Sequence, residues 1–146
     1  MDWHGNLVDS DEAIRHILKN SHTIAVVGIK DESRPNEAAH SVPAFLYSRG
    51  YRIIPVTPIY PSVFGIPSVA SLEEIHEPVD IVQVFRAPRN VMDHALLALK
   101  LKPKVFWMQS GIRQQEAAHR LAVSGIKVVQ DHCMYMDYLR FVRAAA

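Results

Sequence analysis

Five apolar runs, separated by stretches with helical spacing, set the plan of this chain. Residues 23–28, 52–57, 79–85, 104–108 and 126–129 are rich in Val, Ile, Phe and Met. Short, nearly continuous runs of this kind read as strands buried on both faces, the habit of parallel sheets. Between them lie amphipathic segments. Asp9-Ser10-Asp11-Glu12 sets acidic groups at the positive end of a helix dipole, and Ala13, Ile14, Ile17 and Leu18 repeat behind it, predicting a first helix over residues 10–20. Ser41 is a good N-cap for a second helix that tolerates Pro43 in its first turn and ends at Gly50. Ser71-Leu72-Glu73-Glu74 is a capping-box pattern opening a short helix. From Pro88, residues Val91, Met92, Ala95, Leu96 and Leu99 form one stripe. Further helices are predicted over 113–123, closed by Gly125, and over 136–142.

Strand and helix thus alternate five times. That implies an α/β, Rossmann-like, three-layer fold around a five-stranded parallel sheet, here expected in the order 3-2-1-4-5. The crevice would open between the first and fourth strands at their carboxyl ends. Gly28 and Gln109-Ser110-Gly111 would then face each other across it. The length fits one domain over residues 1–146, an N-terminal helical segment to residue 20 followed by a core over 21–143. Pro55 weakens the second strand or marks an irregularity in it, because it has no N–H to donate.

The carboxyl-end loops carry the polar chemistry. Gly28 closes the first strand, and residues 29–40 form a polar loop of about a dozen residues, a length usually reserved for function or disorder. Glycine permits close backbone approach to a phosphate. Ile29 follows it directly, and Lys30, Ser33, Arg34 and His40 supply cations and donors suited to phosphate; the alternative is a solvated loop in which Asp31 and Glu32 neutralise Lys30 and Arg34. The second and third glycines of a dinucleotide fingerprint are missing. Val56, Thr57 and Pro58 end the second strand with no acidic residue to hold a ribose, which counts against NAD. Phe85 and Arg86 end the third strand on the same rim: Arg86 could meet phosphate or merely pair with a carboxylate, and Phe85 could pack on an adenine. Gln109, Ser110 and Gly111 end the fourth, where they could equally be an ordinary turn.

Charge and composition narrow the partners. Sixteen basic and fifteen acidic residues leave a formal charge of +1, without the basic excess expected of a nucleic-acid binder. A single cysteine, Cys133, excludes an intrachain disulfide and fits a reducing cytoplasm. The first six residues lack the basic and apolar regions of a signal peptide, and no apolar run approaches the roughly 20 residues that span a bilayer. Asp131-His132-Cys133 does not match a closed zinc site, and no Ser/His/Asp or Cys/His triad can be assigned. His94 and His119 read as helix-surface residues.

Taken in order, several segments carry a family likeness: 24–28, Arg34-Pro35, 50–58, Phe64-Gly65, Ser71-Leu72, 79–82 with Phe85-Arg86, 105–112, and Val128-Val129 with 131–133. Over roughly residues 20–140 the chain resembles the small bacterial CoA-binding proteins related to the succinyl-CoA synthetase alpha subunit. The resemblance implies coenzyme A as the cofactor. It places phosphate at the loop from Gly28 through Arg34, the nucleotide between 56–58 and Phe85-Arg86, and the pantetheine side towards Gln109-Ser110-Gly111. The synthetase carries its phosphorylated histidine in a further domain, which this chain is expected to lack. The expected role is non-catalytic binding of CoA or an acyl-CoA for carriage, sensing or sequestration. The alternatives are an NAD(P)-dependent enzyme and a nucleotide-responsive regulatory module.

Overall fold

A computed structural model describes residues 2–143. Seven strands and five α-helices follow the predicted alternation, with one small addition. The main sheet contains β1 (Thr23–Val27), β2 (Arg52–Val56), β5 (Ile81–Val84), β6 (Val105–Met108) and β7 (Lys127–Val129), all parallel. The addition is a two-stranded antiparallel hairpin of β3 (Ser62–Val63) and β4 (Ile66–Pro67).

Successive side chains of a strand point to opposite faces, so each strand feeds two cores. Ile24, Val26, Ile81, Val105 and Trp107 face one layer, where they meet Ile14, Ile17 and Leu18 of α1 (Asp11–Asn20) and Val42 and Leu46 of α2 (Ala38–Ser48). Ala25, Val27, Val82, Val84 and Phe106 face the other. There they meet Val91, Ala95 and Ala98 of α3 (Pro88–Leu101) and Ala117, Ala118 and Leu121 of α4 (Gln115–Val123). The alanines on α3 and α4 let both helices lie close to the sheet. The short α5 (Met134–Asp137) closes the first layer through buried Met134. No helix among the described residues is long and apolar enough to cross a membrane.

The strand order corrects the sequence expectation. It is β2-β1-β5-β6-β7, so the third long strand sits between the first and fourth rather than outside the second. The connection from β2 runs through the hairpin and a short 3-10 turn at Leu72–Glu74 before entering β5 on the far side of β1. The winding therefore reverses at β1, and the crevice of such a sheet opens beside it, between β1 and β5. Pro55 is accommodated because β2 is an edge strand. Its carbonyl accepts from Val69 N–H, and Thr57 N–H donates to Val69 in turn.

Helix α2 begins at Ala38, three residues before the predicted Ser41, because the Glu37 carbonyl accepts from both His40 and Ser41 N–H groups. At the other end, α5 starts at Met134 and passes into a π-helical segment, Tyr138–Arg143, instead of forming one helix over 136–142.

Gly28 sits at the tip of β1 with φ +81°, where its N–H donates to Val56. A β-carbon there would lie 2.5 Å from the Phe85 carbonyl oxygen. The missing side chain is thus filled by the neighbouring strand. Gly28→Ala is expected to lower the unfolding free energy in urea by about 2–4 kcal/mol, combining left-handed strain with that clash. Gly125→Ala is the control, since φ is +90° there but nothing lies within 4 Å. Its expected cost is about 1–2 kcal/mol from backbone strain alone. Equal losses at the two positions would contradict the close-approach argument.

Candidate functional site

Where the winding reverses, the carboxyl ends of three strands enclose a cavity of about 220 Å³. The loop after β1 contributes Gly28, Ile29 and Lys30, and the end of β2 contributes Val56, Thr57 and Pro58. Phe85 and Arg86 close it from β5. Eight of the sequence-predicted residues therefore meet at one place.

The loop over residues 29–37 is held by its own polar groups. Lys30 N–H donates to the Ala39 carbonyl, and His40 Nδ1 donates back to the Lys30 carbonyl at 3.1 Å. Both main-chain groups of Lys30 are thereby tied to the start of α2, and the residue lines the cavity. Ser33 donates through both N–H and Oγ to the Asp31 carboxylate. Those two bonds, the hydroxyl first, hold the Asp31 carboxyl below the usual carboxylate range. Glu32 accepts from Phe64 N–H and pins the hairpin to the loop, while Phe64 stacks on Tyr47.

These contacts separate the predicted residues into groups. Ser33 is committed to Asp31, His40 to Lys30, and Arg34 is an exposed partner of Glu37 at 3.5 Å; none of the three lines the cavity. Thr57 is buried, and its Oγ1 accepts from Ile59 N–H, leaving the hydroxyl proton to be donated. The stem of Arg86 lies across Gly28, with its Cδ 3.2 Å from the position a β-carbon would take. Among the described residues neither Lys30 nor Arg86 has a carboxylate within ion-pair distance. Neutralisation within the loop therefore does not occur at Lys30, although it does at Arg34.

Gln109, Ser110 and Gly111 do not face Gly28, because β5 stands between β1 and β6. Gln109 is only 3 % exposed, and its Oε1 accepts from Gln83 Nε2 and from Met134 N–H. Gly111 N–H donates to the Asp131 carboxylate at 2.7 Å. Ser110 alone of the three is an exposed, uncommitted side chain on the rim.

His94 was missed by the sequence reading, which left it on a helix surface. It projects from α3 into the cavity wall and is half-buried. Burial, and secondarily the Arg86 guanidinium, push its imidazole below the ordinary histidine range, with Asp93 opposing. The one available signal was position, since His94 stands three residues after inward-facing Val91 and beside Ala95. Ala70 and Ser71, from the connection to β5, complete the wall. Lys30, Arg86 and His94 thus line the cavity with no Asp or Glu among its lining residues. Such a cavity favours an anion carrying several charges.

A larger cavity of about 430 Å³ lies at the opposite end of the sheet, between His22, Gly50 and Tyr51 at the starts of β1 and β2. Ligands of open parallel sheets sit at carboxyl ends, so size does not decide between the two.

Residues 22–138 match the family described as CoA binding domain. The uncharacterized protein YneT of Bacillus subtilis strain 168 is 39% identical over 125 residues, covering 86% of this chain and 91% of YneT. A solved structure from Thermus thermophilus, cell-free ID.343, is similar with a TM-score of 0.85 and 41% identity, covering 91% of this chain and 99% of that one. A protein of Pyrococcus horikoshii OT3 is similar with a TM-score of 0.86 and 30% identity, covering 92% and 93%.

Gln109→Ala is expected to cost about 1–3 kcal/mol in urea unfolding, because it strands the buried Met134 N–H and the Gln83 amide. Ser110→Ala should stay within about 0.5 kcal/mol. A neutral Gln109→Ala would show that its amide is not the brace of α5.

Proposed function

The chain belongs to the CoA binding domain family, and from that premise we propose that it binds coenzyme A or an acyl-CoA with the nucleotide end seated beside Gly28. The observation that carries this reading is the cationic, carboxylate-free cavity at the winding reversal. The diphosphate lies against Lys30 and Arg86, whose charges replace the backbone contacts of a glycine-rich loop. The Thr57 hydroxyl donates to the nucleotide, and Val56, Ile29, Pro58 and Phe85 give the base apolar surface. The absence of a carboxylate that could hold a ribose turns the site away from NAD.

The remaining predicted residues take outer positions. Arg34 exchanges Glu37 for the 3′-phosphate, with Ser33 and His40 shaping the loop that presents it. The pantetheine arm leaves the cavity along the carboxyl rim towards Ser110 and Gly111, with Gln109 bracing the rim from below. Two strand spacings, about 10 Å, separate β1 from β6 along that path. The role is carriage, sensing or sequestration in the cytoplasm by one domain over residues 1–146, without catalysis of its own. No assignable catalytic triad and a single cysteine support it.

Titration calorimetry with CoA, acetyl-CoA, NAD and NADP tests the reading. CoA or acetyl-CoA should bind and the dinucleotides should not. Arg86→Ala should weaken CoA about 10- to 100-fold, the loss of one charge-assisted contact of about 1.5–3 kcal/mol. Arg34→Ala should weaken CoA more than dephospho-CoA. Binding of NAD without CoA would overturn the proposal, and equal losses for both CoA forms would move Arg34 away from the 3′-phosphate.

A further inference from the structure

We propose that His94 is a third ligand for the CoA diphosphate, beside Lys30 and Arg86, engaging it as the imidazolium so that binding takes up a proton. This rests on the CoA reading above. The geometry places three nitrogen-bearing side chains from three different segments around one cavity: Lys30 after β1, Arg86 after β5, and His94 from the second turn of α3. Two of them are permanent cations. The third is half-buried beside Arg86.

Arg86 and Lys30 share the cavity with His94, and Asp93 precedes it on its own helix. From the segment packed against α3, Ala70 and Ser71 line the wall, while Glu74 is turned to accept from Ala70 N–H. Glu73 faces a separate cavity with Leu97 and Lys100. On α4, the helix packed alongside, Glu116, His119 and Arg120 do not line the site. Burial and the Arg86 charge both disfavour protonation of His94, and Asp93 opposes them.

A diphosphate reverses that balance. An opposite charge within about 4–6 Å favours the charged form of a titratable group, so a diphosphate seated against His94 raises its imidazole. The complex then holds more protons than the free protein. By linkage, affinity rises as pH falls through the raised titration range and levels off once the free protein also protonates His94.

Dephospho-CoA is the probe, because the 3′-monoester of CoA has its own ionisation near pH 6. Calorimetry at pH 6.5 and 8, in buffers of different ionisation heat, should show about 3- to 10-fold tighter binding at pH 6.5 with measurable proton uptake. His94→Gln retains an N–H donor but cannot titrate. It should bind with no uptake and no pH slope. The same slope in His94→Gln would overturn the inference while leaving CoA binding intact. Wild-type protein that binds neither CoA nor dephospho-CoA would instead remove the CoA reading itself. If His94→Gln does not fold, imidazole NMR titration of the unaltered protein gives the same decision. One histidine should titrate higher in the complex, and no change in any histidine would overturn the assignment.

Discussion

The Phe85 carbonyl occupies the space where residue 28 would otherwise carry a side chain, and the site depends on that close approach. It lets the tips of β1 and β5 converge, with the Gly28 N–H reaching the other way to Val56 on β2. Three strand ends then meet around one point at which the winding changes direction. A side chain at residue 28 would push β5 outward and lift the stem of Arg86, which lies across the same atom. One missing β-carbon thus sets both the shape of the cavity and the position of a cation within it.

The electrostatics follow from how the loop after β1 is satisfied. Its carboxylates are spent on the loop itself, Asp31 on Ser33 and Glu32 on the hairpin, while Glu37 takes Arg34. None of them turns into the cavity. Among the described residues Lys30 and Arg86 are left without a carboxylate partner, and His94 is held towards its neutral form. Concentrated positive charge of this kind opposes folding slightly and favours an anion at the same place.

Much of this was legible because it rests on local rules. The five apolar runs became the five strands of the main sheet, and the capped stripes became helices on the two faces. Lateral order was not legible. Whether the third strand falls beside the first or beyond the second is decided by the path of residues 57–80, whose prolines and turns have no periodicity to read. The β3–β4 hairpin hid for a related reason, since its turn places Phe64 at φ +56° beside Gly65, a conformation that phenylalanine does not advertise. Ser41 looked like a cap but lies inside α2, because Glu37 satisfies the first turn with its carbonyl. Of the cavity lining, the residues at the ends of β1, β2 and β5 were anticipated and His94 was not. Helical spacing alone gives the angle of a side chain about its axis, but not the cavity at the helix end.

The central claim is that the nucleotide end of CoA seats beside Gly28 at the carboxyl ends of β1 and β5. A backbone amide chemical-shift map during titration with CoA tests it most directly. The account predicts the largest changes at Gly28, Lys30, Thr57, Arg86 and His94, with smaller ones towards Ser110. Changes centred instead on His22, Arg49 and Tyr51, around the larger cavity at the other end of the sheet, would contradict it.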